Sequence, residues 1–387
     1  MRLVFDVTRL VRRGHLPAPT GIDRVEHEYL AFLLAQDQLD LAFEAYVAPA
    51  GWVSLSRPAV TGLMNAQQRR WSGRAGAASA LGVLRHLRPV PSRRGAGTRF
   101  MTVSHPGAPA IAQWRRRADA CGGKIVYFVH DLIPVEYPEY ALAKHAAANR
   151  ARIAAATTMA DGLLVNSDCT AGAVARFCGT AAVPPIVKLP FGSTLRDSEA
   201  AAPATAGDHP YFLVVGTIEP RKNHLLLLKM WRDMARHAGA AAPHLVIAGR
   251  RGWENGHILA MIDRSPALRD VLVELQTPSD AALHGLMRGA RALLAPSFAE
   301  GFDLPVAEAL GLGCPVIASD IPAHREVGGD APLFLHPLDA KGWSAAVRDF
   351  AAPDSPLREE HLRAARAWRP ASWDDHFSRL TDFLDQL

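Results

Sequence analysis

Cysteine is scarce in this chain of 387 residues: Cys121, Cys169, Cys178 and Cys314 form no C-x-x-C pair and have no metal-ligand spacing. That excludes a disulfide framework and a zinc module, and makes a reducing cytoplasm the expected compartment. Long apolar runs are also missing. Nothing approaches the roughly 20 uncharged residues that span a bilayer, so membrane contact is expected to be peripheral. The N-terminus, Met-Arg-Leu-Val-Phe-Asp-Val, meets an acid too early for a signal peptide and reads as a first strand, so secretion is not expected. The most localised absence is of acid: from Ala45 to Ala118 there is no Asp or Glu, while twelve arginines fall in the same stretch. The formal net charge of +5 therefore hides a segment at +12 and a remainder at −7.

With 49% apolar and 21% charged residues the chain can bury substantial cores, so whole-chain disorder is excluded. Its second half alternates short, continuously apolar strands with helical periodicity. Strands are expected at 211–216, 244–249, 271–275, 292–296, 315–319 and 332–336, and helices near 223–237, 254–264, 279–289, 304–312 and 340–350. Such strands imply a parallel sheet covered on both faces, a Rossmann-like domain. The first half repeats the theme with strands near 2–7, 41–47, 99–104, 124–130 and 162–166 and helices at 22–35 and about 139–160. Residues 198–210, rich in Ala and Pro without apolar periodicity, read as a linker. The expected architecture is α/β: an N-terminal domain over 1–197, the linker, a second domain over 211–371, and a last helix over about 372–387 that packs back on the first. Two such domains are expected to face each other across a cleft, with ligands beyond the carboxyl ends of the strands.

Chemistry concentrates in the second domain. Glu300-Gly-Phe-Asp-Leu-Pro-Val-Ala-Glu308 follows a strand and opens a helix, whose N-terminal amides and dipole favour an anion. Upstream, Gly216-Thr-Ile-Glu-Pro-Arg-Lys-Asn223 links the first strand of this domain to its first helix, and Arg221 and Lys222 can clamp a diphosphate. In the first domain His130-Asp-Leu-Ile-Pro follows a strand, where the histidine is either a sugar contact or a satisfied structural residue. Thr20-Gly-Ile-Asp-Arg-Val-Glu26 is either a loop in which Gly21 allows close approach to a ligand, or a helix start capped by Thr20. Asn166-Ser-Asp-Cys-Thr170 is expected to be mostly a helix cap.

Gly216–Asn223, Glu300–Glu308 and the run Gly313–Gly329 together resemble the donor-binding half of the retaining glycosyltransferases of family 4, of GT-B fold, from about Tyr211 to Phe350. The resemblance implies transfer of a hexosyl or deoxyhexosyl group from a nucleoside diphosphate sugar to an acceptor hydroxyl. Lys222 would hold the diphosphate, Glu308 the ribose and Glu300 the donor sugar, with the amides of Gly301, Phe302, Asp303 and Leu304 near the phosphates. Gly216, Thr217, Arg221 and Gly21 complete the expected donor contacts, and His130 joins Glu300 and Lys222 as a catalytic candidate. Thr217 stands where many relatives have arginine, which makes Arg221 the candidate second cation. Asp303 stands where many have glycine, and is expected to turn away and cap the helix.

The Gly-Thr-Ile-Glu-Pro-Arg-Lys-Asn loop resembles mannosyl- and rhamnosyltransferases of surface-polysaccharide assembly, which makes GDP-mannose the expected donor. A glycan or polyprenyl-diphosphate-linked oligosaccharide is the expected acceptor. No Asp-x-Asp pair occurs, so no metal cofactor is expected. Gly311-Leu-Gly313 lies between a helix and a strand, the reverse of a dinucleotide fingerprint. An epimerase or hydrolase on the same fold is the alternative, and a two-lobed solute-binding protein lacks the secretion signal it would need. Nucleic acid is not an expected partner, since no reading motif accompanies the arginines. A helix over 66–88 would place Trp71 among Arg69, Arg70, Arg74, Arg85 and Arg88, a basic amphipathic element suited either to an anionic leaflet or to a solvated insertion. In the first case the enzyme works at the inner face of the cytoplasmic membrane.

Overall fold

The computed structural model of the chain describes residues 2–72, 88–90, 97–193 and 209–387. These form two compact units. One holds the described residues up to Pro138, those from Ala143 to Ser193, and Ala371–Leu387; the other holds Glu139–Leu142 and the residues from His209 to Pro370.

The first unit is built on an eight-stranded sheet of order β4-β3-β2-β1-β5-β6-β7-β8. Its strands are β1 (Arg2–Asp6), β2 (Asp40–Val47), β3 (Gly51–Leu55), β4 (Arg88–Pro89), β5 (Thr98–Thr102), β6 (Lys124–Val129), β7 (Gly162–Val165) and β8 (Ile186–Lys188). From β2 to β8 the pairing is parallel, and β3 and β4 add an antiparallel edge. The parallel strands carry buried Leu3, Val4, Phe5, Phe100, Tyr127 and Phe128, so successive side chains on both faces leave water. The helix Trp373–Gln386 joins this unit through aromatic packing. Phe377 stacks on Phe32 at 4.0 Å between ring centroids, and His376 Nδ1 donates to the Pro190 carbonyl at 2.9 Å. Burial holds His376 at about 4, so its Nε2 stays free of a proton and accepts from the Tyr29 hydroxyl at 2.8 Å.

The basic segment differs from expectation. Its helix runs from Arg57 to Trp71, opened by Ser56, whose side chain accepts from Ala59 N, and ended at Ser72. Arg88 lies instead in β4, paired with Ser54. Trp71 is only 8% exposed and packs on His27 with ring centroids 4.4 Å apart, and Arg70 donates to the Gly14 carbonyl at 2.8 Å. Helical spacing alone placed Trp71 on an outer stripe; the end of the helix turns it into the unit. Residues 73–87, with Arg74 and Arg85, lie outside the described residues. The acid that the segment lacks is supplied from elsewhere: Arg117 grips buried Glu44 with two bonds of 2.7 and 2.8 Å, Arg115 reaches Asp161 at 2.8 Å, and Arg57 reaches Asp37 at 3.3 Å.

The second unit is a six-stranded parallel sheet of order β11-β10-β9-β12-β13-β14. The strands are β9 (Tyr211–Val215), β10 (His244–Ala248), β11 (Leu272–Leu275), β12 (Leu293–Ala295), β13 (Val316–Ser319) and β14 (Leu333–Leu335). Numbered from β9, that order is the doubly wound Rossmann order, with its switch point between β9 and β12. The helix His224–Ala238 buries Leu227, Leu228, Met230 and Trp231 on one face, and Trp343 and Phe350 of Ala340–Ala351 join them around Phe212 and Val214. Helices Pro322–Gly328 and Pro356–Ala367 were not legible in the periodicity, the first for its brevity and the second because it buries only Ala365.

Candidate active site

The site grows from the two strand ends that flank the switch point of the second unit. Beyond β9 the chain turns at Gly216, whose φ of 136° is open to glycine alone among common residues, and a Cβ there would lie 3.2 Å from Lys222 Cε. Beyond β10, Gly249 packs so closely that a Cβ would fall 1.7 Å from the Gly216 carbonyl oxygen. The turn ends in a short helix, Pro220–Lys222, and the left-handed Asn223 (φ 54°) starts the helix His224–Ala238. Asn223 fixes the turn by donating to the Pro296 and Pro337 carbonyls at 3.2 and 3.0 Å. Phe298 N, beyond β12, donates to the Arg221 carbonyl at 2.9 Å, which ties the two loops together.

These loops bring Arg221, Lys222, Glu300 and Asp303 into one buried cluster. Lys222 Nζ lies 2.8 Å from Glu300 Oε1 and 3.1 Å from Asp303 Oδ1. Arg221 pairs with the other Glu300 oxygen, reaches Glu219 at 2.6 Å and donates to the Ala299 carbonyl at 2.9 Å. Burial works against the Lys222 ammonium, but the carboxylates of Asp303 and Glu300 outweigh it and hold its pKa above the ordinary lysine value. Burial likewise opposes ionisation of Glu300, and Arg221 and Lys222 reverse it, pulling the carboxyl below its usual range. Asp303 is depressed in the same way, by Lys222 and His324 against burial. At neutral pH this is a set of ionised groups held together by one another.

Asp303 does not cap the helix Leu304–Gly311, against expectation. Its backbone is left-handed, with φ 69°, a conformation that glycine takes freely and aspartate tolerates better than most residues. That turn carries the carboxylate to Lys222 and to His324 Nε2, 3.0 Å away, and so off the helix amides. His324 is the residue that sequence reasoning missed. It is fully buried, its Nδ1 lies 2.9 Å from the Ser319 carbonyl, and with Nε2 on Asp303 both ring nitrogens face oxygen acceptors. Ser297 and Ser319, just beyond β12 and at the end of β13, are also buried, with hydroxyls that find no partner among the described residues. Ser297, Lys222 and Asp303 line a cavity of about 10 Å³ at the strand ends, no larger than a water.

The remaining residues of the expected donor site lie on the same two loops and the helix that follows. Phe302 and Leu304 are buried, Gly301 and Thr217 half-buried, and Glu308, one turn into the helix, is only 3% exposed.

In the first unit, His130 follows β6 and is 5% exposed. Burial, with the charges of Arg9 and Arg152, depresses it to about 3 despite a 2.7 Å bond from Nε2 to the Val103 carbonyl. The ring is therefore neutral with its proton on Nε2, which leaves Nδ1 as the acceptor. Gly21 is the exposed first residue of the helix Gly21–Leu34. Thr20 before it is bound to Asp23 through N at 2.7 Å and Oγ1 at 2.8 Å, and Arg9 and Arg13 hold the same carboxylate at 2.5 and 2.9 Å. Ser167 caps the helix Asp168–Cys178 by accepting from Thr170 N at 3.0 Å, as expected.

The fold is α/β with two parallel-sheet, Rossmann-like units, and residues 209–352 match the family "Glycosyl transferases group 1"; the second unit is a glycosyl transferase group 1 domain. Among relatives, the chain is similar to O-antigen chain mannosyltransferase B of Escherichia coli, 33% identical over 165 residues, which is 43% of each chain. It is also similar to O-antigen chain mannosyltransferase RfbU of Salmonella typhimurium, 33% identical over 143 residues, 36% of this chain and 38% of that one. The chain thus spans less than half the length of these relatives. Among solved structures, Anabaena HepE in complex with UDP and glucose superposes with a TM-score of 0.63 over 100% of both chains at 14% identity. Sucrose-phosphate synthase from Thermosynechococcus elongatus gives 0.64 over 100% of this chain and 98% of that one at 16% identity. These neighbours are GT-B glycosyltransferases, the fold expected from the sequence.

Proposed function

We propose that this chain is a retaining glycosyltransferase that moves mannose from GDP-mannose to a glycan or lipid-linked oligosaccharide acceptor in surface-polysaccharide assembly, at the inner face of the cytoplasmic membrane. The observation that carries the reading is the buried Arg221–Lys222–Glu300–Asp303 cluster at the switch point of a group 1 domain. The named mannosyltransferase relatives support mannose as the sugar, and they support transfer over epimerisation or hydrolysis.

The cluster is made for a diphosphate that competes with carboxylates. Glu300 and Asp303 hold the Lys222 ammonium, which keeps a buried cation compensated. A diphosphate takes over Lys222, and Glu300 is released toward the sugar. Glu308 holds the ribose. As the bond between the anomeric carbon and the leaving oxygen breaks, its electron pair passes to the diphosphate. Lys222, Arg221 and the N-terminus of Leu304–Gly311 stabilise that charge, each preorganised donor contributing about 3 kcal/mol. The acceptor oxygen bonds to the anomeric carbon on the face the diphosphate leaves, and its proton goes to the departing phosphate. No protein nucleophile and no metal take part.

The test is product analysis. The purified protein is incubated with GDP-mannose, UDP-glucose or dTDP-rhamnose and a polyprenyl-diphosphate-linked oligosaccharide, and products are read by mass and by anomeric NMR couplings. One hexose added from GDP-mannose, with the donor's anomeric configuration kept, is the expected result. Addition from another donor removes mannose, inversion removes the mechanism, an altered donor without acceptor favours the epimerase or hydrolase, and no reaction with any donor overturns the reading.

A further inference from the structure

A groove of about 560 Å³ opens on the second unit between the helices His224–Ala238 and Gly256–Arg264, and it shares no lining residue with the cluster of Arg221, Lys222, Glu300 and Asp303. Its volume is that of a small-ligand site. Lys229, Arg232 and Arg236 stand at i, i+3 and i+7 of the first helix and so share one face, and His257 and Arg264 repeat the seven-residue spacing on the second. Leu225, Ala260 and Met261 give the groove an apolar floor.

Four permanent cations therefore meet in one concavity, with Asp233 beside Arg232 and Asp263 near Arg264 offsetting them in part. Of the acids on these two helices, Asp263 is taken by Arg251, at 2.6 and 3.1 Å, and Asp233 pairs with its neighbour Arg232 at 3.1 Å. Lys229, Arg236 and Arg264 form no salt bridge among the described residues. Packing does not require them either, since the first helix faces the core through Leu227, Leu228 and Trp231. The positive charge that these acids leave over is complementary to an anion that comes from outside. Arginine forks match phosphate oxygens in pairs, lysine adds a point charge, and the apolar floor suits the organic part of a phosphate ester.

We infer that this groove binds a phosphate-bearing anion at a second site, separate from the nucleotide-sugar site and independent of the transfer reaction. The phosphate is carried either by an anionic phospholipid headgroup or by a free compound, and two assays tell them apart. The triple variant Arg232→Gln, Arg236→Gln, Arg264→Gln is compared with a charge-matched control, Arg269→Gln, Arg348→Gln, Arg363→Gln, whose arginines are exposed in the same unit but outside the groove. The first assay is sedimentation with phosphatidylcholine vesicles with and without phosphatidylglycerol. The second is calorimetric titration with inorganic pyrophosphate, read for stoichiometry. If the source is lipid, the triple variant loses about fivefold in vesicle affinity per cation, on the order of a hundredfold together, and the control loses far less. If the source is free, vesicle binding is unchanged while the triple variant binds one pyrophosphate fewer than the control. Triple and control variants that behave alike in both assays overturn the site.

Discussion

Removing the Lys222 ammonium should destabilise the protein in a way that depends on pH with a definite sign. In Lys222→Ala, Glu300 and Asp303 keep their burial but lose the cation 2.8 and 3.1 Å away, with only Arg221 and His324 left to offset them. Breaking one partner out of a buried ion pair costs about 3–5 kcal/mol. For a unit of this size that corresponds to a fall of about 6–20 °C in its calorimetric melting temperature near neutral pH. In the wild type, both carboxyls are depressed below 4.5 and 3.8, so their contribution is present above those values and lost only as pH falls through the lower folded values. In the variant, burial is less opposed and the folded pKa values move up. Protonation then relieves the buried charge, and the variant is less handicapped in acid. The difference between the two proteins should therefore shrink when the pH is lowered from about 7.5 to about 4.5. Scanning calorimetry at both pH values checks this. A variant that melts within about 1 °C of wild type near neutrality, or a gap that widens in acid, would mean that Lys222 does not compensate the buried carboxylates.

Other perturbations probe the parts that hold the site. Gly249→Ala puts a Cβ 1.7 Å from the Gly216 carbonyl oxygen, so the β9 turn must move; donor affinity should fall at least about tenfold by calorimetry, and unchanged affinity would separate that turn from donor binding. Phe377→Ala removes the ring stacked on Phe32 and should destabilise the first unit by about 3 kcal/mol in urea denaturation; a change below about 1 kcal/mol would mean that the last helix is not part of its core. Removing divalent metals with EDTA should leave the transfer rate within about twofold, and loss of activity restored by magnesium would contradict a metal-free mechanism.

The parallel strands of the second unit were legible because β9, β10, β12 and β13 are short, continuously apolar and set between amphipathic helices. The edge of the first sheet was not. Gly51-Trp-Val-Ser-Leu mixes polarity over one short strand, and β4 spans only two residues, so neither has a period to read. Within the site, Glu300 and Lys222 were found from the spacing of two loops. His324 escaped because its partner Asp303 lies 21 residues away, and only the fold of β13 and the following turn joins them. The Asp303 cap failed for a related reason: a capping side chain works from an extended backbone, and a φ of 69° redirects the carboxylate. In the basic segment the composition does not show where the countercharge comes from, since Glu44, Asp161 and Asp37, outside the stretch, partner Arg117, Arg115 and Arg57.

If Lys222 exchanges its carboxylates for a diphosphate, calorimetric titration of GDP into wild type and Lys222→Ala reads that exchange without any acceptor. Wild type should bind, with an affinity that falls as salt rises, and the variant should bind at least about a hundredfold more weakly. Equal affinity for GDP in the two proteins would mean that Lys222 does not hold the diphosphate.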